Sequence, residues 1–301
     1  MSSEKEITEP PPAEPPAHLQ TDWDFFLKQL NTKSVQIESY FYKATWKDNK
    51  AVQLMVSHIY DLSHFWVVSQ SEEVDLIHKY LFDFYSKHQA HYKVPREHFK
   101  LGMYCITYTE GAYYRSILVN IPLKIATDTI AFVFLVDFGF MARVQLDQIY
   151  FMTKALYNVP QFSIRACLSG LGPVGSETWS MQAIERFSEL VSNKPVYAQI
   201  THVNEKQKTI FVRLGEYDFK SNSYDYINDV LIRDKLARLL TEVDIRALKH
   251  ADKKRNQRSG GARKARLPFS YPSFEVIEKG GCVDSLAAAK KLRDFSVFFF
   301  K

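Results

Sequence analysis

The sequence predicts a mainly β chain with interspersed helices, an α+β fold built on small barrels, and two observations carry that reading. Apolar residues alternate with period two over Tyr104 to Val144, broken at Gly111 and Gly139, as in short strands joined by tight turns. On either side of that block lie further alternating stretches, each separated from it by a segment with helical spacing. The central block thus reads as a small bent barrel with Tyr108, Tyr114 and Phe138 at its open edge. Aromatic faces converging on a rim are suited to holding a cation.

Taken in order, residues 1–20 carry Pro10, Pro11, Pro12, Pro15 and Pro16 among Glu and Ser, the composition of an extended, disordered lead. A short amphipathic helix is expected over 21–34, with Thr21 as cap and Trp23, Phe26, Leu27 and Leu30 on the face that docks on the module. Ile37 to Trp46, Val52 to Ile59 and Ser63 to Val68 follow as strands, the first two joined by a turn at Lys47 to Lys50. Ser69 or Ser71 then caps a helix that turns Val74, Ile77, Leu81 and Phe84 inward. Beyond the central block, Ser176 is the expected cap of a helix burying Ile184, Phe187, Leu190 and Val191. Tyr197 to Val203 and Thr209 to Leu214 return to strand spacing, and Val230 to Leu240 reads as a closing helix. Tyr113, Phe132 and Phe134 are expected in the barrel's own core, and Arg115 and Asp137 as an ion pair within the module. Ser285 to Phe295 reads as a short helix, and the Phe-rich end as a patch that packs on the module or a partner.

The chain has 301 residues and a net charge of +5, distributed unevenly. Lys249 to Arg266 holds eight Lys or Arg against Asp252, more positive charge than the whole chain carries, so the remainder is slightly acidic. A globular part near neutrality is a poor phosphate-backbone binder, because such binding needs clustered cations to displace counterions. Any RNA contact is therefore assigned to the tail, through Lys253, Lys254, Arg255, Arg258, Arg263, Lys264 and Arg266, and an oligonucleotide-binding module with this tail is the alternative reading. The three scattered cysteines fit a reduced intracellular compartment and form no zinc motif, and no stretch is long enough to cross a bilayer. Neither a metal nor a cofactor is expected. The strands before the central block offer no cluster of Asp and Arg for phosphodiester chemistry, and the histidines have no nucleophile at catalytic spacing, so the chain does not read as an enzyme.

One domain's pieces flanking another domain's sequence is an uncommon order, and four separated motifs accompany it: Val56 to Ile59 with Phe65 to Val67, Gly111 to Arg115, Val136 to Gly139, and Pro160 to Gly170. In these the chain resembles the extended Tudor family, in which a Tudor barrel is inserted into a staphylococcal nuclease-like oligonucleotide-fold barrel. The resemblance covers roughly residues 35–240. It implies a first outer half and linker helix at 35–95, the Tudor barrel at 96–155, the second outer half at 156–248, a basic linker at 249–266 and a tail at 267–301.

The resemblance also implies a non-catalytic adaptor. Its expected ligand is an arginine-glycine-rich peptide, methylated or not, of a Piwi-type or another scaffold protein. Its expected setting is a silencing assembly in cytoplasmic, perinuclear germline granules. Carried over by position, the ligand cage is Tyr108, Tyr114, Leu135, Phe138 and Phe140. It is incomplete, since Leu135 stands where an aromatic wall is expected and Phe140 where the family has a polar anchor, usually Asn. Losing a wall costs about 0.5–2 kcal/mol, and losing a charge-assisted hydrogen bond about 1.5–3 kcal/mol.

Overall fold

The structure is a computed structural model that describes residues 14–32, 37–39, 51–69, 72–121, 130–192, 194–218, 223–242, 244 and 274–278. The basic segment 249–266, the turn at Lys47 to Lys50, residues 285–301 and most of the expected strand from Ile37 to Trp46 lie outside the described residues.

Two sheets organise the chain. The first is formed by β1 (Ala51–Asp61), β2 (His64–Ser69), β8 (Ile164–Leu168), β10 (Val196–Asn204), β11 (Thr209–Asp218) and β12 (Ser223–Tyr226). Its order is β10-β1-β2-β8-β11-β12, and β10 also pairs with β11, so the first five strands close into a barrel. The β8–β11 pairing is parallel and the others antiparallel. Alternate residues Leu54, Val56, Phe65, Val67, Ala166, Leu168, Ala198, Ile200, Ile210 and Val212 fill its interior. Helix α3 (Met181–Val191) closes this core with Ile184 and Phe187.

The second sheet lies wholly between β2 and β8 in sequence. Strands β3 (Tyr104–Thr109), β4 (Ala112–Asn120), β5 (Ile130–Leu135), β6 (Phe140–Gln145) and β7 (Ile149–Tyr150) pair antiparallel in the order β6-β5-β4-β3-β7. Helix α2 (Glu72–Tyr92) links the two sheets and packs on β4, burying Leu81, Tyr85 and Tyr92. Helix α1 (Leu19–Asn31) docks on the same core through Phe26, 1% exposed, while buried Asp22 accepts from the Tyr92 hydroxyl at 2.7 Å and the Lys154 amide at 2.8 Å.

Several local expectations are corrected. Helix α1 begins two residues before Thr21 and has no side-chain cap; the Leu19 amide instead bonds to the Pro16 carbonyl. The cap of α3 is Ser180, whose hydroxyl accepts from the Ala183 amide at 3.2 Å, since Ser176 lies too far upstream to meet an orphan amide of the first turn. The expected closing helix over Val230 to Leu240 is shorter: α4 spans Ile227–Arg233, Lys235 takes a positive φ of 58°, and Arg238–Leu239 form β13 against β9 (Leu171–Gly172). Strand alternation puts Phe132 and Phe134 on the outer face of β5, opposite Val133 and Leu135: Phe132 is half-buried with the Arg143 guanidinium 5.4 Å from its ring centre, and Phe134 is buried against Trp66, so of the three only Tyr113 lies in the barrel's own core. Finally, the tail contributes a short helix, α5 (Phe274–Glu278), that packs against β2, β5 and β8.

Candidate functional site

The turn from Val136 to Gly139 lies where the two barrels meet. Asp137 is 1% exposed and Arg115, opposite it, is also 1% exposed. The guanidinium donates from Nε to Asp137 Oδ2 (2.9 Å) and from Nη2 to Asp137 Oδ1 (2.6 Å). Its remaining donors reach the carbonyls of Leu156, Val159 and Pro160 at 3.2, 2.6 and 2.7 Å, and Asp137 also accepts from the Phe162 amide at 3.1 Å. A buried pair survives when its remaining donors and acceptors are satisfied, which this one achieves by ordering the segment that leads back into β8. The pair is structural and joins the second sheet to the first.

The same turn is held from the barrel of the first sheet. Ser57 Oγ donates to the Phe138 carbonyl at 2.8 Å and Ser163 Oγ to the Val136 carbonyl at 2.7 Å. Gly139 has φ +84°, and a β-carbon there would lie 2.0 Å from Cγ of Trp66, so the glycine answers both a left-handed backbone and a close approach.

On this frame the predicted cage residues separate into two groups. Tyr114 (3% exposed) and the half-buried Phe138 meet edge to face, with ring centres 5.7 Å apart. Phe140, half-buried, lies 6.2 Å from Phe138. Leu135 shares this face but is 0% exposed and belongs to the barrel interior. Tyr108 is not brought to the group. It pairs directly with Tyr113, and Tyr114 pairs with Thr107, so strand alternation puts Tyr108 and Tyr114 on opposite faces. Tyr108 instead packs on Tyr113 at 4.7 Å. The residue of β3 that faces Tyr114 is Thr107, 0% exposed and bonded through its hydroxyl to Ser116 at 2.7 Å. The rim therefore has two aromatic walls with Phe140 beside them.

Sequence reasoning missed the residue that completes this corner. His78 of α2 lies 5.1 Å from Phe138 and 5.9 Å from Tyr114, ring centre to centre. Its Nε2 is buried without a hydrogen-bond partner. Burial lowers its pKa, opposed by the nearby Asp137 carboxylate, so the ring is neutral at pH 7. The available signal was its position one residue after Ile77 on the inward face of α2. The half-buried His58 adjoins the group from β1, 5.5 Å from Phe140 and 6.0 Å from Trp66, and burial lowers its pKa to about 4. Burial likewise raises the Tyr114 hydroxyl to about 12. A row of rings thus runs from Tyr114 through Phe138, Phe140 and His58 to Trp66.

Among the described residues, no three His, Cys, Asp or Glu side chains come together as a metal site, and no helix is long and apolar enough to cross a membrane. The cations expected to touch RNA fall in the segment outside the described residues.

Comparison with known proteins follows this geometry. The Tudor domain family model matches residues 47–170. Human Tudor domain-containing protein 6 is 28% identical over 108 residues, a match covering 36% of this chain and about 5% of that protein's length. An extended Tudor domain of mouse TDRD1, solved with a MILI peptide containing dimethylarginine, superposes with a TM-score of 0.55 at 19% identity, covering 66% of this chain and 97% of that one. The extended Tudor domain of Drosophila melanogaster Papi gives a TM-score of 0.56 at 18% identity, covering 64% of this chain and all of the other. In both, the superposed whole is a Tudor barrel combined with a nuclease-like oligonucleotide-fold barrel, the arrangement built here by the second and first sheets. Residues 47–170 thus match the Tudor domain model, and the chain has the extended Tudor fold.

Proposed function

We propose that the chain is a non-catalytic adaptor that takes up an arginine side chain of a partner peptide at the Tyr114–Phe138 corner, in a Piwi-type silencing assembly of the cytoplasm. One observation carries the reading: a flat, nitrogen-bearing ring, His78, already stands against both aromatic walls with Nε2 unpaired. A planar group with poorly satisfied N–H positions is what a corner of two aromatic faces accommodates, and a guanidinium adds the charge that ring quadrupoles attract. His78 is thus a stand-in that the incoming arginine displaces. The assembly is inferred from relatives: a Papi extended Tudor domain was solved with a methylated Piwi N-terminal peptide, and the mouse TDRD1 domain with a MILI peptide. Because Leu135 and Phe140 supply neither a wall nor a polar anchor, dimethylation improves affinity only a few-fold.

The test is calorimetric titration of the full chain with one arginine-glycine peptide, unmethylated and symmetrically dimethylated. His78→Ala removes two ring contacts worth about 0.5–1.5 kcal/mol each, so it tightens binding by about tenfold. Phe138→Ala abolishes the gain. Absence of binding to both the wild type and His78→Ala would sink the arginine reading.

A further inference from the structure

On the other side of Trp66 lies a second groove, floored by Trp66, Phe134 and Val136, which are 1, 5 and 0% exposed. What covers them is α5, separated in sequence from the rest of the module by the whole basic segment. Phe274 packs edge-on against Trp66 at 5.1 Å and His64 at 4.9 Å, and Ile277 is 8% exposed. Residues 274, 277 and 278 stand at i, i+3 and i+4, one face of a helix. The third of them, Glu278, accepts a forked pair from Arg165, Nε to Oε1 at 2.8 Å and Nη2 to Oε2 at 2.6 Å. The remaining Arg165 nitrogen donates to the Gln207 carbonyl at 2.7 Å, and its guanidinium carbon lies 5.6 Å from the Phe274 ring centre. The clamp is thus anchored in the barrel of the first sheet and aimed at a carboxylate. Five residues cannot sustain a helix alone, so the groove itself selects this conformation.

We propose that this groove is a docking site for a short helical motif, aromatic at its first position, aliphatic at its fourth and acidic at its fifth. The chain's own Phe274–Glu278 is its tethered occupant, and a partner bearing the same motif exchanges with it. The mode is helix-in-groove recognition, with the apolar pair providing anchorage and the Arg165 fork fixing direction. It uses no residue of the Tyr114–Phe138 corner and holds whether or not that corner takes arginine.

The experiment is fluorescence anisotropy of a labelled peptide, Pro272 to Gly280, titrated with the full chain. In Phe274→Ala/Ile277→Ala/Glu278→Ala protein the groove is vacated and the peptide binds in the micromolar range. It binds wild-type protein at least about tenfold more weakly, because a tethered copy competes at an effective concentration that reaches millimolar. Adding Arg165→Glu to the vacated protein abolishes binding, and a peptide carrying E278K restores it. Full-length Glu278→Lys, altered at a part-exposed position, provides a milder vacated form whose folding is checked by circular dichroism. Failure of the peptide to bind either folded vacated form would overturn the proposal. So would equal affinity for vacated and wild-type protein, or indifference to Arg165→Glu.

Discussion

Arg115→Lys is a sharp test of how the two barrels are held together. The guanidinium uses all five of its N–H positions, two on Asp137 and three on the carbonyls of Leu156, Val159 and Pro160. An ammonium has three donors on a point charge and cannot reproduce the planar fork, so at least two buried acceptors lose their partners. Each unsatisfied buried acceptor costs about 1–3 kcal/mol, and removing one partner of a buried pair typically costs about 3–5 kcal/mol. The expected loss is therefore about 3–5 kcal/mol despite retention of charge. Urea unfolding followed by tryptophan fluorescence measures it, and a thermal scan should show a fall of roughly 6–20 °C for a domain of this size. Asp137→Ala alone should cost a similar amount. The double variant Arg115→Met/Asp137→Ala should cost at least about 1 kcal/mol less than the sum of Arg115→Met and Asp137→Ala, because neither charge is then left buried and alone. A loss below about 1 kcal/mol in Arg115→Lys, or strict additivity in the double variant, would refute the account of this node.

Three other outcomes follow from single contacts. Gly139→Ala places a β-carbon 2.0 Å from Trp66 at a φ of +84° and should destabilise by more than about 2 kcal/mol in the same urea assay. His58 has a folded pKa of about 4 against 6.5 unfolded, so the unfolded state binds more protons in between. Stability is then intact above pH 6.5 and falls by up to about 3 kcal/mol as pH drops towards 4, a slope that His58→Phe should flatten in unfolding curves taken between those limits. Ser180→Ala should cost about 1 kcal/mol through loss of the α3 cap, whereas Ser176→Ala should leave the unfolding midpoint unchanged.

The parts of the fold that sequence made legible are those with local causes. Period-two alternation located β3 to β6, and the same spacing located β1, β2, β10 and β11, because side-chain direction in a strand depends only on parity. Arg115 and Asp137 were readable as a pair since both sit in strongly apolar runs where neither charge is tolerated alone. The site was less legible for the same reason of parity. Tyr108 looks equivalent to Tyr114 as an aromatic near a turn, but the two-residue turn at Glu110 and Gly111 fixes the register that pairs Tyr114 with Thr107. The contacts of His78, legible only as a residue on the inward face of α2, and those of α5 could not be read. Each meets its partners across dozens of residues, and neither contact leaves a spacing in the sequence.

The presence of phenylalanine at position 140 has a physical explanation in the packing between the barrels. Its ring lies against His58 of β1, on the far side of the corner from Tyr114. An asparagine there would forfeit the ring contacts that Phe140 makes with His58 and Phe138, each worth about 0.5–1.5 kcal/mol. Phenylalanine fills the same space with apolar surface and continues the row of rings to Trp66. Where the family resemblance leads one to expect a polar anchor for an arginine, Phe140 fastens the rim to the neighbouring barrel. Leu135, 0% exposed, likewise packs in the barrel interior. Both residues thus contribute packing and not polar contacts at the corner. On the proposed arginine reading, discrimination between methylated and unmethylated arginine should therefore be slight, and the side chain that an incoming arginine must displace is His78 of the linker helix, which stands against Tyr114 and Phe138.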